Sequence, residues 1–245
     1  AYKPEMNPSL TASATYTFLG TELYNFSMDT QPAGWTAAGQ WAFGVPTGGG
    51  GAHGSPDPTN GYTGANVYGY NLSGDYANSL PATHWLTTTS MDLTASVNCK
   101  LVFYRWLGVE GPAYDHAYVG VSTDKVTWTR VWQNSSEVAD ASWTRVVLDI
   151  SSVADNKSTV YVRWGMGRTD SSWVYCGWNI DDVAIWGSPP GPVPPAAPSG
   201  AHASAVSNTQ VLVTWTDNSS DEQGFAIERM SGAGSWGESG RVGLN

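Results

Sequence analysis

Positive charge is scarce in this chain of 245 residues: 11 Lys+Arg stand against 21 Asp+Glu, a formal net charge of −10. Without a basic surplus there is little to neutralise a phosphate backbone, which argues against nucleic acid as a partner. Charge of either sign is thin, at 13% of residues, while the apolar fraction is an ordinary 41%. A disordered acidic tail or a coiled coil would show the opposite balance. No run of about 18 apolar residues occurs, so no membrane insertion is expected. Catalytic signatures are missing as well. There is no Gly-x-Ser-x-Gly elbow, no His-Glu-x-x-His helix and no Gly-rich loop leading into Lys and Ser/Thr. The four histidines, His53, His84, His116 and His202, are scattered, and no strand clusters the carboxylates that glycoside hydrolysis requires. The expectation is a chain with no catalytic site of its own.

Tryptophan is abundant: 13 Trp against 5 Phe. Phe serves as well for plain apolar bulk, whereas Trp suits places where a flat apolar face must also carry a polar edge. Proline divides the chain. Residues 188–200 hold six of the 14 prolines, a density that favours an extended, semi-rigid linker. The expected organisation is a domain over 1–187 (residues 1–19 a lead-in from a preceding domain), a linker over 188–200 and a short segment over 201–245. The chain does not begin with Met and shows no cleavable leader, so it reads as a piece of a longer polypeptide. Low Lys content, abundant Trp, Gly and Thr, and the linker point to a secreted or cell-surface protein.

Period-two alternation dominates and no helical stripe persists beyond about two turns, so the chain reads as all-β. Expected strands are Leu101–Leu107, Ala117–Ser122, Val126–Gln133, Trp143–Ile150, Thr159–Met166 and Asn179–Trp186, with shorter ones at Thr15–Leu19, Trp41–Val45, Asn66–Tyr70 and Trp85–Thr88. The sequence Ser-Thr-Asp-Lys at 122–125 has the turn chemistry of a hairpin. Such strands imply two packed antiparallel sheets, a jelly-roll β-sandwich. Alternation places Trp128, Arg130 and Trp132 on one face, Trp143 with Arg145 on another, and Tyr161 with Arg163 on a third.

Two resemblances follow from particular stretches. Asn-Phe-Ser-Met-Asp at 25–29, Pro-Ala-Gly-Trp at 32–35, Gln-Trp-Ala-Phe-Gly at 40–44, Cys-Lys-Leu-Val-Phe-Tyr-Arg-Trp at 99–106 and Gly-Trp-Asn-Ile-Asp-Asp-Val-Ala-Ile at 177–185 resemble MAM-like jelly rolls. These include the cleaved-adhesin domains of secreted bacterial peptidases. The likeness covers most of residues 20–187 and implies a non-catalytic sandwich, often with bound calcium. Ser27 stands where related domains commonly carry Glu. The tail, with Ala-Pro-Ser at 197–199, Val-Leu-Val-Thr-Trp-Thr-Asp at 211–217 and Gly-Phe-Ala-Ile-Glu-Arg at 224–229, resembles the first half of a fibronectin type III domain. Trp215 matches the core Trp of that family.

Calcium is the expected cofactor. Alternation sends one of Asp181 and Asp182 toward the inner face, where a carboxylate needs a cation or strong donors. Asp57, Asn60 and Asp75 complete the expected shell, with Asp29 weaker. The alternative is that Asp182 accepts from Arg163 or from turn amides and that Asp57 opens an ordinary turn. For ligand binding the expected residues are Trp128, Trp132, Trp143 and Tyr161 with Arg130, Arg145 and Arg163, because sugars offer apolar C–H patches ringed by hydroxyls. Arg stacked on Trp as a ladder covering a sheet is the competing reading. The loop aromatics Tyr62, Tyr68, Tyr70, Tyr76, Trp85, Tyr114 and Trp173 form a second candidate surface. Cys99 and Cys176 either form a disulfide, contributing about 4 kcal/mol by loop closure, or remain buried thiols. The expected function is a non-catalytic accessory module that binds polysaccharide or a cell-surface glycan or protein beside other domains of the same polypeptide. A purely structural spacer is the alternative.

Overall fold

The computed structural model describes residues 20–191, 195–207, 209–220, 222, 224–230 and 236–243. The lead-in over 1–19, the strand expected at Thr15–Leu19 and part of the linker lie outside the described residues. The chain divides into two compact units, Ala1–Pro189 and Pro190–Asn245.

The first unit is a sandwich of two antiparallel sheets, the jelly-roll architecture. One sheet has seven strands: β1 (Thr21–Phe26), β3 (Trp41–Gly44), β4 (Val67–Tyr70), β6 (Val97–Val109), β9 (Val138–Ala139), β10 (Thr144–Asp149) and β12 (Gly177–Ser188). Its main order is β10-β6-β12-β4-β3, with β1 on β12 and β9 on β6. The other sheet has five strands, in the order β2-β5-β11-β7-β8: β2 (Thr36–Ala37), β5 (His84–Thr87), β7 (Ala117–Ser122), β8 (Thr129–Gln133) and β11 (Tyr161–Met166). A single helical turn, α1 (Ser151–Ala154), follows β10. The first and last strands of this unit pair with each other, Thr21 opposite Gly187, so the chain enters and leaves the sandwich at one end.

Alternation explains the core. Val119 and Val121 of β7, and Val162, Trp164 and Met166 of β11, point inward from the five-stranded sheet; Leu101, Phe103 and Leu107 of β6 meet them from the other. Trp164 stacks on Trp35 with centroids 5.8 Å apart and receives the edge of Phe103 at 5.5 Å. Trp178 of β12 reaches across the sandwich to donate its indole N–H to the Gly165 carbonyl at 3.0 Å. A buried indole that finds an acceptor keeps its apolar burial without orphaning its donor.

β-Bulges in β8 and β12 break the alternation where it bears on the expected site residues. In β8, Trp132 pairs with Val119 and Arg130 with Gly120, leaving Val131 extra. In β12 the register slips between Asp181 and Ala184, and Asp182 takes a left-handed φ of 46°. An inserted residue reverses the facing of everything beyond it. Ile180 and Val183 therefore both join the core, and neither Asp181 nor Asp182 enters it, which corrects the inward carboxylate expected from strict alternation.

The outer face of the seven-stranded sheet is roofed by the glycine-rich loop before β4. Trp106 Nε1 donates to the Pro56 carbonyl at 3.0 Å, Asn179 Nδ2 to Asp57 Oδ1 at 2.7 Å, and the Thr63 amide to Asp181 Oδ2 at 3.0 Å. Tyr62 stacks on Tyr104. Loops rarely lie on a sheet unless their polar groups find partners there, and here buried Asn179 and Asp181 supply them.

In the second unit β13 (Ser199–Ala205) pairs with β14 (Val211–Thr216) and β15 (Phe225–Met230) with β16 (Trp236–Val242). The ring of Trp215 lies 5.1 Å from that of Phe225. Among the described residues no helix is long and apolar enough to cross a membrane.

Candidate functional site

The five-stranded sheet carries a polar and aromatic outer face. Across it Arg130, Gly120, Arg163 and Thr87 stand in one row, and Gln133, Tyr118, Gly165 and Trp85 in the next. The two mid-strand glycines make the surface concave. A Cβ on Gly165 would run into the Trp85 ring, and one on Gly120 would lie 3.4 Å from Arg163 Nε. Glycine inside a strand marks this kind of close approach.

Large side chains fill the space over those glycines in a continuous stack. The Arg163 guanidinium sits 3.7 Å from the Trp85 ring centroid and 4.0 Å from that of Trp128. Arg130 sits 4.2 Å over Tyr118, and Tyr118 lies between Trp85 and His116, at 6.1 and 5.7 Å. Trp128 is fixed by its own N–H, which donates to the Lys125 carbonyl at 3.0 Å. Between Trp85, Tyr118, Trp128, Arg130 and Arg163 opens a pocket of about 270 Å³. Burial, and then the neighbouring Arg130 charge, lower the Arg163 pKa to about 10. Its Nε is buried without a hydrogen-bond partner.

The expected ligand set therefore divides. Trp128, Arg130, Arg163 and Tyr161 share this outer face, Tyr161 beneath the Lys125 ammonium at 4.5 Å. The β8 bulge turns Trp132 to the opposite side, where it packs on Trp178 at 5.4 Å; the shared face expected for Trp128, Arg130 and Trp132 is corrected accordingly. Trp143 meets the edge of Trp106 at 6.1 Å, and Arg145 pairs with Tyr104 in β6, so both belong to the seven-stranded sheet. Of the loop aromatics, Trp85 joins the pocket, Tyr68, Tyr70 and Tyr76 are buried, and Tyr62, Tyr114 and Trp173 are exposed. Tyr118, Gly120 and Gly165 were absent from the expected site. The glycines interrupting Ala-Tyr-Val-Gly-Val-Ser and Tyr-Val-Arg-Trp-Gly-Met were the signal for them.

The residues expected to hold calcium are engaged by protein donors. Asp75 accepts from the amides of Gly51 and Ala52. Asp181 accepts from the amides of Thr63 and Asp182, and Asp182 from Thr63 Oγ1. Asn60 donates to the Gly61 carbonyl and accepts from Thr59 Oγ1. Asp57 is paired with Asn179, which leaves Asp57 Oδ2 and Asn179 Oδ1 buried and unsatisfied. Elsewhere, Glu110, Asp115 and Asp170 bring carboxylate oxygens within 4.8 Å of one another. Asp115 accepts from Tyr76 and from the Asp170 amide. Glu110 Oε2 is buried with no partner. Burial, followed by the charge of neighbouring acids, raises the Glu110 pKa.

Cys99 and Cys176 are both buried free thiols. Cys99 lies near the start of β6, close to Gly187, whereas Cys176 precedes Gly177, which pairs with Gly108 near the other end of β6. At about 3.3 Å per residue the two lie roughly 30 Å apart, far beyond disulfide reach. The disulfide expectation is corrected.

Two antiparallel sheets, one roofed by its own loop and one open over an arginine and indole stack, define a jelly-roll β-sandwich module. No family model matches the chain. Over 187 residues, 75% of its length, it is 30% identical to Bacillopeptidase F of Bacillus subtilis (strain 168), and it spans 11% of that protein. Its structural neighbours include the K1 cleaved adhesin domain of Lys-gingipain from Porphyromonas gingivalis W83 (TM-score 0.43, 16% identity, 68% of this chain and 98% of that one). They also include the CBM22-1 xylan-binding domain from Paenibacillus barcinonensis (TM-score 0.40, 14% identity, 72% of this chain and 100% of that one). The fold assignment rests on the strand pairing described above.

Proposed function

We propose that the sandwich is a non-catalytic carbohydrate-binding module of a secreted or cell-surface multidomain protein, holding glycan in the pocket of the five-stranded sheet. The observation that carries this reading is the open stack of Trp85, Arg163 and Trp128 beside Arg130 over Tyr118. Flat apolar walls combined with a few fixed donors suit sugar rings. The likeness to part of a protein named as a peptidase supports a place beside a hydrolase domain. Affinity electrophoresis against neutral and acidic polysaccharides tests the proposal. At least one should retard the chain, and Trp128→Ala should weaken that binding about tenfold, the equivalent of about 1.4 kcal/mol. Unchanged mobility across the panel, or retardation indifferent to Trp128→Ala, would leave the stack as scaffold only.

Calcium is part of the same proposal, held by Glu110, Asp115 and Asp170 rather than by the acids under the loop. Hard cations need several oxygens, and the unsatisfied Glu110 Oε2 beside two further carboxylates offers them. Bound calcium would tie the β6–β7 connection to the segment before β12. A ligand at 100 times its dissociation constant stabilises by about 2.7 kcal/mol. Millimolar CaCl2 should therefore raise the melting temperature by several degrees, EDTA should reverse the rise, and Glu110→Gln should abolish it. Identical melting in CaCl2 and EDTA would refute the site.

A further inference from the structure

We infer that the glycan this pocket takes is acidic, carrying carboxylate or sulfate groups that pair with Arg163 and Arg130. The inference rests on the carbohydrate-binding reading and adds the charge of the ligand. Two guanidinium groups face one pocket, and no Asp or Glu is among the described residues lining it. Neither arginine makes an ion pair with a described residue; the salt bridges among the described residues are Lys100 with Asp149, Arg105 with Asp140 and Arg241 with Glu238. Arg130 spends one donor on Gln133 Oε1 at 2.6 Å. The Arg163 guanidinium makes no hydrogen bond with any described residue, and its Nε is shut away from water.

That arrangement is costly for a pocket meant for neutral sugar. A guanidinium removed from water loses hydration that stacking on indoles restores only in part, and a second cation beside it adds repulsion. Elsewhere in the same sandwich Arg105 meets this cost with a carboxylate, through paired bonds to Asp140 at 2.8 and 3.1 Å. At Arg163, which lines the pocket, no carboxylate of a described residue plays that part. The planar fork, locked between Trp85 and Trp128, presents its donors in fixed directions, a geometry matched to oxyanions. The chain as a whole carries −10, so diffuse attraction cannot hold a polyanion on it; any such binding must be local to a cationic site.

Calorimetric titration of the whole chain with oligogalacturonate and with its methyl ester compares one sugar backbone with and without charge. A parallel pair, dextran sulfate and dextran, separates sulfate from carboxylate recognition. One of the charged members should bind at least tenfold more tightly than its neutral partner. The affinity should fall as NaCl rises from 50 to 500 mM, and Arg163→Gln should remove at least a factor of ten. Arg130→Gln, at an exposed position, should weaken binding in the same direction without altering the melting temperature, which covers the case in which Arg163→Gln perturbs folding. Equal affinity for charged and neutral partners, or for xylan, would overturn the acidic assignment and leave carbohydrate binding standing. Binding to none of these or to the wider polysaccharide panel would remove both.

Discussion

Replacing Trp164 by alanine should lower the unfolding free energy by about 3–5 kcal/mol, the usual cost of deleting a buried indole and leaving its cavity. Trp164 is 0% exposed and sits where the sheets meet, stacked on Trp35 and capped by the edge of Phe103. Neither neighbour can collapse into the space without giving up its own packing. Trp164→Phe should cost far less, about 1 kcal/mol, because it keeps an aromatic ring in place and removes an indole N–H that has no partner; losing an unsatisfied donor offsets part of the lost contact. Urea unfolding at unchanged m-value measures both. A Trp164→Ala midpoint indistinguishable from wild type would mean that the sheets do not meet there.

Asp57 should make the sandwich less stable as pH rises toward neutrality, the reverse of the usual carboxylate. Burial raises its pKa to about 7 against the Asn179 hydrogen bond, and the nearby Asp75 charge adds to the rise. With a folded value above the unfolded value of 3.8, the native state holds a proton that the unfolded chain has released. Stability from this group is complete below about pH 4, falls between about 4 and 7, and is gone above. The contribution is at most about 4 kcal/mol, from 1.36 kcal/mol per unit. The chemistry is visible in the orphaned atoms: protonation turns Asp57 Oδ2 into a donor, while Asn179 Oδ1 is an acceptor lacking one. Asp57→Asn mimics that protonated form at every pH. It should match wild type near pH 4 and exceed it by about 2–4 kcal/mol at pH 7.5, as read from urea unfolding at the two values. Equal stability at pH 7.5 would show that Asp57 ionises in place without cost.

Much of the sandwich was legible because period-two alternation is a local property. The facing of Tyr161, Arg163, Val162 and Trp164 in β11 follows from the sequence alone, as does the antiparallel pairing of β7 with β8 around residues 122–125. What escaped is non-local or a single-residue irregularity. Nothing in Val-Thr-Trp-Thr-Arg-Val-Trp-Gln announces that Val131 is the extra residue of a bulge, yet that insertion separates Trp132 from Arg130. Alternation also cannot say which sheet a strand joins, so Trp143 and Arg145 looked equivalent to Trp128 and Arg130 until their strands were placed. In the sequence Asp75 and Asp181 look like cation ligands because their donors, the amides of Gly51, Ala52 and Thr63, are backbone groups that no side-chain pattern reveals. Glu110, Asp115 and Asp170 come together from two separate connections, a proximity the fold creates.

The pairing of β1 with β12 has a consequence for how the molecule occupies its polypeptide. Thr21 and Gly187 face each other across one strand spacing, about 4.8 Å, so more than 160 residues are spent between two points that nearly coincide. The sandwich is a pendant on the chain rather than a link in it. Between Thr21 and Gly187 it adds one strand spacing to the span of the chain rather than its own length.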